Sequence, residues 1–117
     1  MMKVFLDDER VTPEGWIRTH TPAEAIALLE TGMVSHLSLD HDLGDDEGIG
    51  TGYDVVLWLE QQVFLNSCGH GNSPDLFRGG IPETIQVHSA NVSARIKMEQ
   101  GIEKIFEWTQ KSVDNVP

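Results

Sequence analysis

Basic residues, cysteines and long apolar runs are all scarce in this sequence. It holds 8 Lys and Arg against 19 Asp and Glu, for a formal net charge of −11. Nucleic-acid backbones are bound by neutralising phosphates with Lys and Arg. That scarcity argues against bulk duplex binding, while leaving room for a small phosphorylated ligand reached through a bound cation, which inverts the local field. The single cysteine, Cys68, excludes an internal disulfide and a cysteine-rich zinc site. Its only hint of thiol chemistry is the run Cys68-Gly69-His70, since a nucleophilic thiol needs a base beside it. No apolar run approaches the ~20 residues that span a bilayer. Met1 to Leu6 runs into acidic residues too soon for a signal peptide. The expectation is a cytoplasmic protein with no membrane partner.

What remains is enough for one folded domain of 117 residues with a single core. Alternation and turn chemistry predict strands over 2–6, 16–19, 34–39 and 84–87. Thr21-Pro22-Ala23-Glu24 is a helix start, with Thr21 as N-cap, Pro22 at the first helical position and Glu24 closing a capping box. Gly32 stops that helix. A second helix is predicted over 53–64 and a last one over roughly 93–110, its stripe made by Ile96, Ile102, Ile105, Phe106 and Trp108. Thr51 reads as the cap of the second. The aromatic residues, Trp16 included, read as core. Residues 66–82 form a long Gly/Ser/Asn/Pro loop, of a length that is usually functional or mobile in a compact domain. The domain is placed at 1–113, with a tail at 114–117.

Strands alternating with helices predict an α/β fold with an open, mostly parallel sheet of about four strands. One connection is too short for the simplest version. Residues 9–16 join the first two strands, whereas a parallel crossover usually needs a dozen residues or more and a helix. The first helix is reduced to a turn, one face of the sheet loses its cover, and the last helix is expected to pack there, giving helices on both faces.

Acidic clusters stand where the first and third strands run out: Leu6-Asp7-Asp8-Glu9 and Leu39-Asp40-His41-Asp42. The fourth strand runs out at His88-Ser89-Ala90-Asn91. Ligands of open parallel sheets bind beyond the carboxyl ends of the strands. Carboxylates gathered there repel unless a cation lies between them, and hard divalent cations take oxygen ligands. Asp7, Asp8, Asp40 and Asp42 are therefore the candidate ligands of Mg²⁺, with Mn²⁺ or Ca²⁺ as alternatives. The competing reading is a solvated acidic patch.

The motif order resembles the receiver fold of two-component signalling. An acidic pair follows the first strand (Asp7, Asp8), an aspartate ends the third (Asp40) and a hydroxyl ends the fourth (Ser89). The resemblance implies a flavodoxin-like strand order that brings these positions together. It lacks the receiver's fifth strand and the lysine at its end. A closer resemblance covers most of the chain. Leu6-Asp7-Asp8-Glu9-Arg10, Leu39-Asp40-His41-Asp42-Leu43-Gly44, Gly50-Thr51-Gly52-Tyr53-Asp54 and His88-Ser89-Ala90-Asn91 are similar to the divergent cyclic-phosphate processing receiver domains.

That resemblance implies a metal-dependent phosphate-processing enzyme, a cyclic phosphoesterase acting on an RNA terminus or a nucleotide. Asp40 would be either nucleophile or metal ligand. His88 and His41 would be the proton carriers, since imidazole changes charge near neutrality. Ser89, Asn91, Arg95 and Arg10 would hold the phosphate, with Lys97 as another substitute for the missing lysine. Asn91 is also a natural N-cap for the last helix. The alternative is an atypical receiver, or a phosphate-binding module, that uses Asp40 as phosphoacceptor without hydrolysis.

Overall fold

The structure, a computed structural model, describes residues 2–7, 11–41, 50–67 and 81–114. Its elements are β1 (Met2–Leu6), β2 (Ile17–Thr19), α1 (Pro22–Leu29), β3 (Val34–Leu39), α2 (Gly52–Ser67), β4 (Thr84–Val87) and α3 (Val92–Asp114). All strand pairs are parallel, and the sheet order is β2-β1-β3-β4. This is the predicted α/β receiver-like fold, truncated at its fourth strand among the described residues. None of the described helices is long and apolar enough to cross a membrane.

Local chemistry accounts for the helix starts. Thr21 Oγ1 accepts from Glu24 N at 3.2 Å, which caps α1, and donates to Glu24 Oε1 at 3.3 Å, so the two side chains of the predicted box meet. Ahead of α2, Thr51 Oγ1 accepts from Tyr53 N and Asp54 Oδ2 accepts from Thr51 N, a reciprocal cap. Gly50 turns the chain into that cap at φ 93°, in the left-handed region that favours glycine. In α3, Asn91 Oδ1 accepts from Ala94 N at 3.1 Å, so Asn91 caps the helix.

Strand alternation divides the sheet into two unlike faces. Val4, Leu6, Leu37, Leu39 and Ile85 point to one face. There they join Ala25 and Leu29 of α1, Val55, Val56 and Leu59 of α2, and Met98, Ile102 and Ile105 of α3 in a single buried cluster. All three described helices therefore lie on one side. The steps from β2 to β3 and from β3 to β4 run the same way across the sheet, so right-handed crossovers put α1 and α2 on the same face. The step from β1 to β2 runs the other way and owns the opposite face, but its connection carries no helix among the described residues.

The expectation that the last helix covers that opposite face is not met. Lys3, Phe5, Arg18, His36, Ser38 and Gln86 share the face by register. An apolar helix stripe laid on it would strand polar groups without partners, at a cost of kilocalories each. Among the described residues the face is covered by its own side chains. Trp16 meets the rings of Phe5 and His36 edge-on, each at 6.2 Å, and the Lys3 ammonium lies 6.0 Å from the Trp16 ring centre. The predicted stripe of α3 is also corrected. Met98, Ile102 and Ile105 repeat at helical spacing and are buried, whereas Ile96, two residues off that spacing, is 51% exposed. Phe64 is likewise exposed on α2 rather than in the core. The side chain of Trp108, the loop containing Cys68 and the tail beyond Asp114 lie outside the described residues.

This packing predicts an unequal response to truncation on the two sides. Met98→Ala should lower the free energy of unfolding by about 2–5 kcal/mol, as for other buried large-to-Ala changes. Gln86→Ala, exposed on the opposite face, should stay within about 0.5 kcal/mol. Urea unfolding of the full chain measures both, and equal losses would contradict the one-sided core.

Candidate functional site

Register builds the site. Leu6 pairs with Leu39 and Leu39 with Val87, so the next row across three adjacent strands is Asp7, Asp40 and His88. Each of these residues continues the ladder one step past its strand. Asp7 N donates to Thr19 O at 3.1 Å, Asp40 N to Leu6 O at 3.0 Å and His88 N to Leu39 O at 2.9 Å. Neighbouring strands lie about 4.8 Å apart, and one ligand atom from each residue lies within 4.8 Å of the other two. Asp7 is fully buried and Asp40 is 9% exposed. Two carboxylates held this close and this dry repel each other unless a cation or a proton offsets the charge.

The ring of His88 is held on three sides. Nε2 lies 2.9 Å from Asp7 Oδ2, and Nδ1 lies 2.7 Å from Ser38 Oγ. One ring face stacks on Phe5, with centroids 4.4 Å apart and planes 3° from parallel. Ser38 was not singled out from sequence, nor was Arg18, whose Nε donates to the Asp7 carbonyl at 3.2 Å. Both could have been found by carrying the alternation back one row, because Phe5, Arg18 and Ser38 share a register line.

The same alternation sends the neighbours of these residues elsewhere. His41 follows Asp40 and lines a cleft of about 230 Å³ on the helix side of the strand ends, with Tyr53, Asn91, Ser93, Ala94 and Lys97. Ser89 follows His88 and is 3% exposed; its Oγ accepts from Asn91 N at 3.1 Å, a turn that leads into α3. Arg95 points along the surface of α3 and pairs with Glu99 at 3.4 Å. Of the bases weighed from sequence, Lys97 is the one among the residues lining the cleft. Asp8, Arg10 and Asp42 lie outside the described residues.

A family comparison agrees with this geometry. The family model for the cyclic-phosphate processing receiver domain matches residues 2–104. The chain belongs to that family. No curated protein and no solved structure matches the chain. The matched span contains every element of the sheet and all three residues of the Asp7, Asp40 and His88 row, so this member of the cyclic-phosphate processing receiver domains is a receiver-like module whose polar cluster sits at the strand ends.

One glycine fixes how the cleft meets the row. A Cβ on Gly52, the first residue of α2, would fall on the Asp40 carbonyl oxygen and come within 3.1 Å of the Met98 methyl group. Gly52 N also donates to the His41 carbonyl at 3.3 Å. Helix α2 therefore starts hard against the end of β3. Gly52→Ala should lower stability by about 1–3 kcal/mol, the range for overpacking, and should shift the amide resonances of Asp40 and His41 more than those of β2. A variant with wild-type stability and unshifted resonances at Asp40 would refute this contact.

Proposed function

We propose that this domain is a metal-dependent phosphate-processing enzyme that opens the cyclic phosphate of a nucleotide or an RNA end. The observation that carries the reading is the Asp7, Asp40 and His88 row: buried carboxylates side by side at the sheet's ligand-binding edge, in a chain of the cyclic-phosphate processing family. The two carboxylates are oxygen ligands that suit a divalent cation, Mg²⁺ in the first instance, with Mn²⁺ or Ca²⁺ as alternatives. Such a cation would supply positive charge for phosphoryl oxygens and acidify a bound water. Asp8 and Asp42, next to the row in sequence, are further oxygen donors in this reading, and Arg10 is a further phosphate contact.

The chain's own residues divide the remaining work. Hydrolysis of a cyclic ester adds one water: its oxygen forms a new bond to phosphorus, one ring P–O bond breaks, and a proton ends on the released sugar oxygen. His41 directly follows Asp40 and lines the cleft, which suits it to deliver that proton. The ring nitrogens of His88 face Asp7 and Ser38. Lys97 brings a positive point charge to the same cleft, and Asn91 and Ser93 bring polar groups. With so few bases in the chain, a small ligand or a single terminus suits the site better than a long polyanion.

The test is turnover of 2′,3′-cyclic nucleotides and of short RNAs ending in a cyclic phosphate, with Mg²⁺ or Mn²⁺ present. Asp40→Asn and chelation should each abolish turnover, and His41→Ala should lower kcat by about 10²–10⁴, the usual share of a proton-transfer group. Equal turnover by wild type and Asp40→Asn would remove Asp40 from the mechanism. If no substrate turns over but a small phosphodonor leaves a stable phosphoryl group on wild type and none on Asp40→Asn, the atypical-receiver reading replaces this one.

A further inference from the structure

We infer that His88 is itself a metal ligand, positioned by Ser38, and that this nitrogen makes the site one for a first-row transition cation such as Mn²⁺ or Zn²⁺ in preference to Mg²⁺ or Ca²⁺. The inference rests on the proposed cation site and deepens it. Mg²⁺ and Ca²⁺ take oxygen ligands, and Mg²⁺ keeps several waters. Imidazole suits zinc, iron and their neighbours in the first row. The identity of the third residue in the row therefore decides which ion the row prefers.

Three features of His88 match a ligand. First, its Nε2 lies 2.9 Å from Asp7 Oδ2. Two ligand atoms at right angles on bonds of about 2.1 Å stand roughly 3.0 Å apart, so the pair is already at the separation of neighbouring ligands. Second, the other ring nitrogen, Nδ1, lies 2.7 Å from the hydroxyl of Ser38, which is 2% exposed. Metal-binding histidines generally donate their second N–H to such a partner, which fixes the tautomer and the ring orientation. A serine hydroxyl both donates and accepts. With Nδ1–H donated to Ser38, the Nε2 lone pair faces Asp7. Third, the parallel stack on Phe5 at 4.4 Å holds the ring plane, so Nε2 stays on the edge that carries Asp7 and Asp40.

The arrangement of Asp7, His88 and Ser38 invites another reading, a nucleophilic serine activated through histidine. Burial argues against it. An attacking hydroxyl must reach substrate, and Ser38 lies inside the sheet on the far side of the imidazole from the strand ends. Ser38 is a positioning residue.

Direct binding on the full chain tests the inference without relying on turnover. Titration calorimetry should show Mn²⁺ and Zn²⁺ binding at least about 10-fold more tightly than Mg²⁺. Electron spin-echo modulation of bound Mn²⁺ should show coupling to one nitrogen, and His88→Gln should remove that coupling. Ser38→Ala should weaken Mn²⁺ binding by about 10- to 100-fold, the usual cost of losing such a supporting partner, with Ser38→Thr, which keeps the hydroxyl, restoring much of it. Circular dichroism checks that each variant folds, and the wild-type spectrum decides the matter even if none does. Mn²⁺ bound no more tightly than Mg²⁺ and without nitrogen coupling would overturn the inference while leaving the cation site in place. Coupling that survives in His88→Gln would also overturn it. No binding of any divalent ion at millimolar concentration would sink both the inference and the site.

Discussion

Three backbone hydrogen bonds extend the sheet one residue beyond its strands: Asp7 N to Thr19 O, Asp40 N to Leu6 O and His88 N to Leu39 O. The site depends on them. Each amide bond fixes the backbone of a residue whose side chain would otherwise leave on a loop. Because the strands are parallel and in register, the three side chains emerge in one line and on one face. A slip of one residue in any pair would send that side chain to the other face. Register is guarded by the rows behind, where Leu6, Leu39 and Leu37 are fully buried against the helices. Hydrophobic burial on one face thus specifies the polar geometry on the other.

The one-sided distribution of helices follows from the same division. A sheet with both faces apolar needs a cover on each. Here the second face carries Lys3, Arg18, His36, Ser38 and Gln86 among its aromatics, and Trp16 and His88 both pack against Phe5, which is only 7% exposed. The short β1–β2 connection and the polar composition of that face go together. With no helix laid on it among the described residues, the face can hold a histidine tied to a serine and a carboxylate.

Much of this was legible in the sequence, and the misses have physical causes. The helix start at Thr21 and Glu24 and the strand positions rest on local chemistry, the strand order on the receiver resemblance, and the structure shows each; the short β1–β2 connection carries no helix among the described residues. Uncovered area alone predicts the last helix on the opposite face; the polar residues Lys3, Arg18, His36, Ser38 and Gln86 that make that face do not suit an apolar helix stripe. Arg95 and Lys97 are both candidate phosphate contacts by sequence; helical rotation turns Arg95 toward Glu99 and places Lys97 at the cleft. Ser38 carries no signal by its residue type and is reached only by carrying the alternation back from Asp40, which puts it on the face of His88.

The receiver resemblance implies that Asp40 and Ser89 share a pocket. The register pairs Asp40 with His88 and leaves His41 and Ser89 on the helix side. Two adjacent compartments result, divided by the backbone of β3 and β4. One holds acids and a fixed imidazole, the composition that favours a cation. The other holds His41, Tyr53 and Lys97 at the start of α3, the composition that favours an anion and a proton transfer. In a chain of net charge −11, an anionic ligand is disfavoured over most of the surface. Lys97 stands in the cleft beside the Asp7, Asp40 and His88 row, and strand alternation is what allows opposite chemistries to stand one residue apart.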